Sequence, residues 1–320
     1  MQNFWKELKK PFTALAPMED VTDYVFREVL AEIAPPDVFF TEFTSVEGLC
    51  SAGYEKVVTR LKYSEKQRPI VAQIWGTNPQ KFYETSKIVE NLGFDGIDIN
   101  MGCPDKAVIK IGAGAALIEN LDLVAELIKA VKDGAKNIPV SVKTRTGFNK
   151  VITEDWAEFL LKQGVQALTI HGRTKKQMSK AAADWKEIAK AVKIRDKVSP
   201  KTIIVGNGDV LDYADACNKA VMFGVDGIMI GRGIFADPWI FVKDLIPKIR
   251  TTGEKINLLL RHSELFERTW GDQKNFAIMK KFFKIYVRNF EGSGELRQQL
   301  MKCASFEQVK DCVKETTLPN

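Results

Sequence analysis

The chain has 320 residues, of which 45% are hydrophobic and 28% are charged, and its formal net charge is +6. This composition excludes a largely disordered chain, and no apolar run approaches the roughly 20 residues that a membrane helix needs. The five cysteines are scattered without a CxxC pair, which argues against a disulfide framework and a structural zinc site. The N-terminal segment MQNFWKELKKPF lacks the apolar core of a secretory signal. We therefore expect a cytoplasmic protein with no membrane partner and no metal.

Short segments of strand-forming residues recur through the first 233 residues and predict eight strands. They lie at 12–18, 38–43, 69–76, 96–103, 139–147, 167–173, 202–209 and 227–233. Helical periodicity fills most of the gaps, for example at 79–93 and at 153–164, where Thr153 is the expected N-cap. Because strands that alternate with helices pair in parallel through right-handed crossovers, the predicted fold class is α/β, a TIM (β/α)8 barrel.

After Pro238 the strand pattern stops, and the remaining residues predict helices, most clearly at 253–270 and 274–290. We predict a barrel of residues 1–242 followed by a small all-helical C-terminal domain of residues 243–320. The second helix should bury one apolar face and present a basic stripe opposite to it. The apolar face comprises Phe276, Met279, Phe283, Tyr286 and Phe290, and the basic stripe comprises Lys281, Lys284 and Arg288.

The positive charge is concentrated in that C-terminal part. Lys and Arg number 15 against 10 Asp and Glu in residues 241–320, but 32 against 31 in residues 1–240. A basic module on a neutral body suits an enzyme that acts on a polyanion. An ordinary solvated surface is the alternative.

Each predicted strand has a residue with a chemically functional side chain at or near its C-terminal end. In chain order these are Met18 with Glu19, Glu42, Gln73, Asn100 with Cys103, Lys143, His171, Asn207 with Asp209, and Arg232. A barrel gathers these ends on one face, where the active sites of this fold lie. The last two strands end in the glycine-rich stretches GNGD and GIMIGRG, which predict a phosphate site with Arg232 as a charged donor. Tight turns alone are the alternative reading of these glycines.

Lys143 takes an inward position late in a strand, where an unpaired charge would be costly. Its partner is expected to be either an isoalloxazine ring, whose pyrimidine end becomes anionic on reduction, or a barrel carboxylate such as Glu42. His171 and Gln73 either hydrogen-bond the same ring or are satisfied core residues. Cys103, beside Pro104, is either a small core residue or a reactive thiol.

Eight segments together resemble the tRNA-dihydrouridine synthase family. They are LAPMEDVTD (15–23), TEFTSVEGL (41–49), AQIWG (72–76), DINMGCP (98–104), KTRTG (143–147), HGRT (171–174), GNGDV (206–210) and GIMIGRG (227–233). Their order and spacing match across the barrel, and the C-terminal part matches more loosely through residues 283–301. The sequence departs from the family at Asp20, where glycine is frequent, and in the Ala-rich stretch 180–185.

The resemblance implies an FMN enzyme that takes electrons from NADPH or NADH and reduces the 5,6 double bond of a tRNA uridine. The implied cofactor contacts are Pro17, Met18, Gln73, Lys143, His171, Asn207, Gly208, Asp209, Gly231 and Arg232. Asn100 is expected at the uracil edge. Cys103 is the implied acid that protonates carbon 5 after hydride reaches carbon 6, because a thiol is mostly protonated at neutral pH. Pro104 would restrict the backbone beside it.

A stacked tRNA base cannot reach a barrel pocket, so the target uridine must flip out, and phosphate contacts must offset that cost. We expect those contacts from the basic stripe and from Arg145, Arg173, Lys175 and Lys176 at the barrel rim. The partner is then tRNA, and the enzyme is expected to be a monomer. Two other functions stay open at this point: a flavin barrel that acts on a free pyrimidine, and a tRNA-binding protein without catalysis.

Overall fold

The computed structural model describes residues 3–246 and 248–316. Its strands are β1 Phe12–Leu15, β2 Phe39–Phe40, β3 Thr44–Ser45, β4 Ile70–Trp75, β5 Gly96–Met101, β6 Val140–Arg145, β7 Ala167–His171, β8 Ile203–Asn207 and β9 Gly227–Ile230. They form one parallel sheet in the order β1-β9-β8-β7-β6-β5-β4-β2, with β3 also paired to β4. A bridge between Ala14 and Val38 joins β1 to the residues just before β2 and closes the barrel. The predicted TIM barrel is confirmed.

Within the predicted strand at 38–43, only residues 39–40 form a strand, β2, and a second short strand, β3, begins just beyond the predicted end. Phe39 of β2 pairs with Ile70, and Thr44 of β3 pairs with Ile74 farther along the same neighbouring strand β4. Between them, the backbone carbonyl of Glu42 accepts hydrogen bonds from the hydroxyls of its two neighbouring threonines. The Thr41 amide still donates a 3.0 Å bond to the Val71 carbonyl of β4, so the pairing is interrupted only between Thr41 and Thr44.

Helices follow most of the strands and surround the barrel. They are α1 Tyr24–Ile33, α2 Val46–Leu49, α3 Tyr54–Val57, α4 Pro79–Asn91, α5 Lys106–Lys110, α6 Leu121–Gly134, α7 Thr153–Lys162, α8 Trp185–Val198, α9 Tyr213–Phe223 and α10 Gly233–Ala236. Short 3-10 segments occur at Phe4–Lys6, Val58–Leu61, Glu65–Gln67 and Gly114–Glu119. Among the described residues, no helix combines the length and apolar character needed to cross a membrane.

The prediction that Thr153 caps α7 is wrong. Thr153 is the first helical residue, the N-cap position belongs to Ile152, and no side-chain hydrogen bond caps this helix. The Thr153 hydroxyl is buried without a hydrogen-bond partner. The acidic residues Glu154 and Asp155 in the first turn supply the favourable interaction with the helix dipole instead.

An aromatic plug closes the N-terminal end of the barrel. Trp5 is 1% exposed, and its ring lies 5.9 Å from the Phe12 ring and 6.3 Å from the Phe40 ring, measured between centroids. These side chains form an apolar cluster with inward residues of the strands. The N-terminal end of the barrel is therefore packed core, and the polar strand ends lie at the opposite end.

The C-terminal part is helical, as predicted. Its α-helices are α11 Thr252–Trp270, α12 Lys280–Tyr286, α13 Ser293–Leu300 and α14 Phe306–Glu315, with 3-10 segments at Gly271–Gln273 and Phe276–Met279. The predicted boundary between residues 242 and 243 falls between α10 and α11, which opens with a capping box formed by Thr251 and Glu254. The division into two domains stays a prediction.

The single helix predicted at 274–290 is wrong in extent. Asn275 caps the 3-10 segment that leads into α12, and the helix ends where Val287 leaves the helical region with φ −101° and ψ 84°. The predicted apolar face is otherwise correct, since Phe276, Met279, Phe283 and Tyr286 are buried and Phe290 packs partly buried against them. Phe282 and Ile285 are buried as well. The helix is therefore enclosed on more than one side.

The helical part packs directly on α1 of the barrel. Phe26 of α1 stacks on Phe282 with 5.3 Å between ring centroids. The guanidinium of Arg261 donates two hydrogen bonds, of 2.9 and 2.7 Å, to the carboxylate of Glu32. An apolar contact and a bidentate ion pair thus hold α11 and α12 against α1 of the barrel.

Candidate active site

A cavity of about 620 Å³ opens at the C-terminal ends of the strands. Nine of the ten predicted cofactor residues line it, namely Pro17, Met18, Lys143, His171, Asn207, Gly208, Asp209, Gly231 and Arg232. Neighbouring strands supply them in register, since Asn207 pairs with His171 and with Met229. The barrel topology therefore brings residues that are far apart in sequence to one pocket.

One side of the cavity carries two arginines around a carboxylate. Asp209 accepts a 2.5 Å bond from Arg173 Nη2 and a 3.1 Å bond from Arg232 Nη2. Burial raises the pKa of Asp209, but the bonds from Arg173 and the Ala183 amide outweigh burial and lower it below its usual value. Asp209 thus stays ionised and holds both guanidinium groups near the glycines that follow β8 and β9, Gly208 and Gly231.

Gly208 supplies a backbone shape that another residue would strain. Its φ of +125° lies in the region that favours glycine, and an added Cβ would lie 2.7 Å from the Ala183 Cβ and 3.1 Å from the His171 Cδ2. With an arginine pair beside it, this stretch has the donor set expected for a phosphate.

Lys143 and His171 form the polar floor of the cavity. Burial, followed by the nearby Arg145, lowers the pKa of Lys143 to about 8. Burial and the charge of Lys143 lower the pKa of His171 to about 2, so the imidazole is neutral. Because arginine only donates, the 3.1 Å contact from Arg173 Nη1 makes His171 Nε2 an acceptor and leaves the ring proton on Nδ1.

The structure assigns Lys143 a different carboxylate from the one expected. Asp98 is the carboxylate whose charge opposes the lowering of the Lys143 pKa, and Glu42 plays no such part. Glu42 instead accepts a 2.6 Å bond from the backbone amide of Asp20. Asp20 has a φ of +55°, which explains why glycine would also suit that position.

Cys103 lies on a loop that is clamped at its backbone. The Asn100 Oδ1 accepts bonds from the amides of Gly102 (3.1 Å) and Cys103 (2.9 Å), and the Cys103 carbonyl accepts from the Ala115 amide (3.0 Å). The thiol is half-buried, and burial raises its pKa above the usual value. Cys103 is therefore a protonated thiol at neutral pH. Its neighbour Pro104 lines the cavity, whereas Cys103 itself is not among the lining residues.

Gln73 is the predicted cofactor residue that does not line the cavity. It is 0% exposed, and both ends of its amide are bonded: Nε2 donates to Asp98 (2.8 Å) and Oε1 accepts from Asn100 Nδ2 (3.0 Å). Sequence reasoning missed Asp98, although its place two residues before Asn100 on the same strand puts both side chains on the inward face. The alternation of inward and outward side chains along β5 is the sequence signal that could have identified Asp98.

Two arginines that we predicted at the exposed rim lie inside the wall. Arg145 is 7% exposed and Arg173 is 3% exposed. Arg145 Nε donates a 2.6 Å bond to the Gly102 carbonyl, which ties it to the loop of Cys103. Both guanidinium groups are held by the protein and act on the cavity rather than on an outer surface.

The remaining predicted tRNA contacts lie outside the cavity. Lys175 places its ammonium 4.6 Å from the centre of the Phe148 ring. Lys281 Nζ donates a 2.8 Å bond to the Asp20 carbonyl and so joins α12 to the loop after β1. Lys284 is exposed, and Arg288 is partly exposed. The basic stripe is thus only partly available to a partner.

The chemistry of the residues that line the cavity suits a flavin. Lys143 lines the cavity and forms no side-chain hydrogen bond or ion pair with the described residues. A ring whose edge gains negative charge on reduction would satisfy it, and the arginine pair at Asp209 would meet a phosphate. The volume falls in the range of about 300–1,000 Å³ that is usual for cofactor pockets. Fold and site together define a TIM-barrel oxidoreductase of the flavin type.

Comparison with known proteins assigns the family. The family model described as dihydrouridine synthase (Dus) matches residues 14–320, so the chain belongs to the dihydrouridine synthase family and is an enzyme of that family. A probable tRNA-dihydrouridine synthase of Staphylococcus aureus (strain COL) is 45% identical over 317 residues, which are 98% of this chain and 95% of that protein. The probable tRNA-dihydrouridine synthase 2 of Bacillus subtilis (strain 168) is 46% identical over 314 residues, 97% and 95% of the two chains.

Solved structures agree on the fold at low sequence identity. A 2-naphthoyl-CoA reductase complex gives a TM-score of 0.53 at 9% identity, covering 72% of this chain and 49% of that chain. DHODH from Eimeria tenella in complex with ferulenol gives a TM-score of 0.50 at 13% identity, covering 69% and 76%. These likenesses support the barrel architecture alone.

Proposed function

We propose that this protein reduces a uridine of tRNA to 5,6-dihydrouridine, with FMN as its cofactor and NADPH or NADH as the reductant. Membership of the dihydrouridine synthase family supports the reaction, the flavin and the tRNA substrate. The observation that carries the proposal is one cavity wall that combines an arginine pair, a lysine that forms no hydrogen bond with the described residues, and Pro104 beside a protonated cysteine. We further propose that the enzyme acts as a monomer in the cytoplasm.

The cofactor residues divide into two groups by their chemistry. Arg232, with the glycine backbone at Gly208 and Gly231, would hold the phosphate, and Asn207 would bond the ribityl chain. Lys143 and the Nδ1 proton of His171 would bond the polar edge of the ring, and Pro17 with Met18 would cover its face. When bound, FMN supplies the hydride that saturates the pyrimidine.

Cys103 would hold the proton that completes the reduction. Its raised pKa keeps the proton on Sγ at neutral pH, so the thiol can donate to carbon 5 of the uracil as general acid. The Asn100 side chain fixes the cysteine backbone through two amide bonds. The second hydrogen of its Nδ2 group would meet an oxygen at the uracil edge.

Outer basic residues would bind the tRNA around the flipped nucleotide. We propose Lys175, Lys176, Lys284 and Arg288 as phosphate contacts, and residues 243–320 as the tRNA-recognition domain. Lys281 would act mainly by holding α12 to the Asp20 loop, since its ammonium is bonded there. Arg145 and Arg173 would act from within the cavity wall, where they favour an anionic ligand.

One reaction tests the proposal. The purified protein is incubated with NADPH and an unmodified tRNA transcript, and mass spectrometry measures the gain of two hydrogens on uridine. Cys103→Ala should slow product formation by about 10²- to 10⁴-fold, the usual contribution of a general acid. Cys217→Ala is the matched control, because Cys217 is a half-buried thiol on α9 and does not line the cavity.

Two outcomes would contradict the proposal. Reduction of free uridine but not of tRNA would move the substrate to a free pyrimidine. An unchanged rate in Cys103→Ala would remove Cys103 as the proton donor. In either case the flavin absorbance of the purified protein reports separately on the cofactor.

A further inference from the structure

The buried carboxylate of Asp98 lies behind the cavity wall, and the proposed reaction gives it no task. Asp98 is 0% exposed. Its Oδ2 accepts a 2.8 Å bond from Gln73 Nε2 on β4, and its Oδ1 accepts a 2.6 Å bond from Ser141 Oγ on β6. Because burying an ionised carboxylate costs several kcal/mol, an apolar side chain would be the less costly filling for this part of the barrel.

The hydrogen bonds between Cys103 and Asp98 all donate in one direction, from the Cys103 amide through Asn100 and Gln73 to the Asp98 carboxylate. A carboxylate can only accept, so Gln73 must turn its NH₂ group towards Asp98 and its carbonyl towards Asn100. Asn100 Nδ2 donates to that carbonyl (3.0 Å), which leaves Asn100 Oδ1 to accept from the amides of Gly102 and Cys103. The charge on Asp98 therefore fixes the orientation of the side-chain amides of Gln73 and Asn100.

We propose that Asp98 is a positioning residue: through Gln73 and Asn100, its carboxylate holds the backbone of Cys103 and thereby the place of the thiol. The inference rests on the proposed function, in which that thiol donates the proton. Asp98 itself touches neither the cavity nor the reacting atoms.

The charges around Asp98 give the proposal a pH signature. Its neighbours on β4 and β6, Gln73 and Ser141, are uncharged, and Lys143 is the ionised group that acts on it. Burial raises the pKa of Asp98 to about 6. Below that pH the protonated carboxyl can donate, Gln73 is no longer held in one orientation, and the clamp on Cys103 should loosen.

The test compares two full-length holoenzymes with the wild type. Asp98→Asn removes the charge that orients the Gln73 and Asn100 side chains. Asp226→Asn is the matched control, because Asp226 is also a buried barrel carboxylate, bonded to Arg195 (2.6 Å), but it precedes β9 at the opposite end of the barrel. Three rates are measured: flavin reduction by NADPH, single-turnover oxidation of the reduced flavin by tRNA, and alkylation of Cys103 by iodoacetamide, followed by peptide mass spectrometry.

In Asp98→Asn, we expect tRNA-dependent oxidation to slow by about 10- to 100-fold, as for a misplaced catalytic group. Flavin reduction should be unchanged, and the Cys103 alkylation rate should change several-fold. In the wild type we expect the oxidation rate to fall below about pH 6, and in Asp98→Asn this pH-dependent fall should be absent. Asp226→Asn should lower the melting temperature without changing any of the three rates.

Oxidation and alkylation within twofold of the wild type in Asp98→Asn would overturn the proposal. If Asp98→Asn does not fold, Gln73→Met removes the next side chain in the series of hydrogen bonds and keeps the charge of Asp98. Wild-type rates of oxidation and alkylation in Gln73→Met would overturn the proposal equally. If the wild type does not reduce tRNA at all, the proposed function fails, and the alkylation rates still decide whether Asp98 positions Cys103.

Discussion

His262 is a buried histidine whose protonation should destabilise the folded protein in mild acid. It is 0% exposed on α11, its Nδ1 lies 2.8 Å from the Tyr286 hydroxyl, and its Nε2 has no hydrogen-bond partner among the described residues. Burial lowers its pKa to about 4, and the charge of Asp23 opposes the shift only in part. The unfolded chain, with a histidine pKa of about 6.5, binds the proton more tightly.

The direction and size of the effect follow from proton linkage. The contribution of neutral His262 to the free energy of unfolding is fully present above about pH 6.5. It falls as the pH drops towards 4, because the unfolded state then binds more protons than the folded state. With a folded pKa of about 4 and an unfolded pKa of about 6.5, the loss between pH 8 and pH 5 is about 2 kcal/mol.

Urea unfolding at pH 5 and pH 8, followed by tryptophan fluorescence, measures this loss in wild type and in His262→Gln. The variant keeps a polar group near Tyr286 but cannot titrate, so its free energy of unfolding should fall about 2 kcal/mol less over this range. Tyr286→Phe keeps the buried imidazole and should retain the wild-type pH dependence. Equal pH dependence in wild type and His262→Gln would refute the reasoning.

Three further changes test other features. Asp23→Ala should lower the free energy of unfolding by about 2–4 kcal/mol in urea, because Asp23 caps α1 and accepts the Trp270 indole N–H at 3.0 Å; unchanged stability would contradict that link to α11. Thr153→Val should be neutral or stabilise by up to about 1 kcal/mol, since the hydroxyl is buried without a partner, and a clear drop in melting temperature would show that the hydroxyl is bonded. Lys284→Ala with Arg288→Ala should raise the Kd for tRNA and lower its salt slope by about 2, whereas an unchanged slope would remove both residues from the interface.

The placement of the strand-end residues could be predicted from sequence because it depends only on periodicity and parallel topology. Lys143, His171 and Asn207 each stand near the end of a strand, and a closed parallel barrel brings such ends together whatever the details of packing. The register pairs Arg145 with His171 and His171 with Asn207, as adjacent strand ends require.

Partner choice and burial could not be predicted in the same way. Asp98 reads from sequence as an inward polar residue, but the donors it meets are set by the registers of β4 and β6. Arg173 reads as a rim charge, yet Asp209 and the Ala181 carbonyl draw it into the wall. The break in the predicted helix at 274–290 likewise depends on the local cap at Asn275, which helical periodicity does not reveal.

The balance of charge explains why the cavity suits an anionic cofactor before any substrate arrives. Burial and then the charges of four basic side chains, Lys143, Arg145, Arg173 and Arg232, lower the pKa of His171 and keep it neutral. Against them stand two carboxylates, Asp98 and Asp209, so the wall carries excess positive charge. The lowered pKa of Lys143 and of Arg145, to about 8 and about 10, expresses the cost of burying and crowding these cations. A phosphate would offset that excess at the arginine pair, and a ring that becomes anionic on reduction would offset it at Lys143, so this charge balance would favour the reduced form of such a ring over the oxidised form.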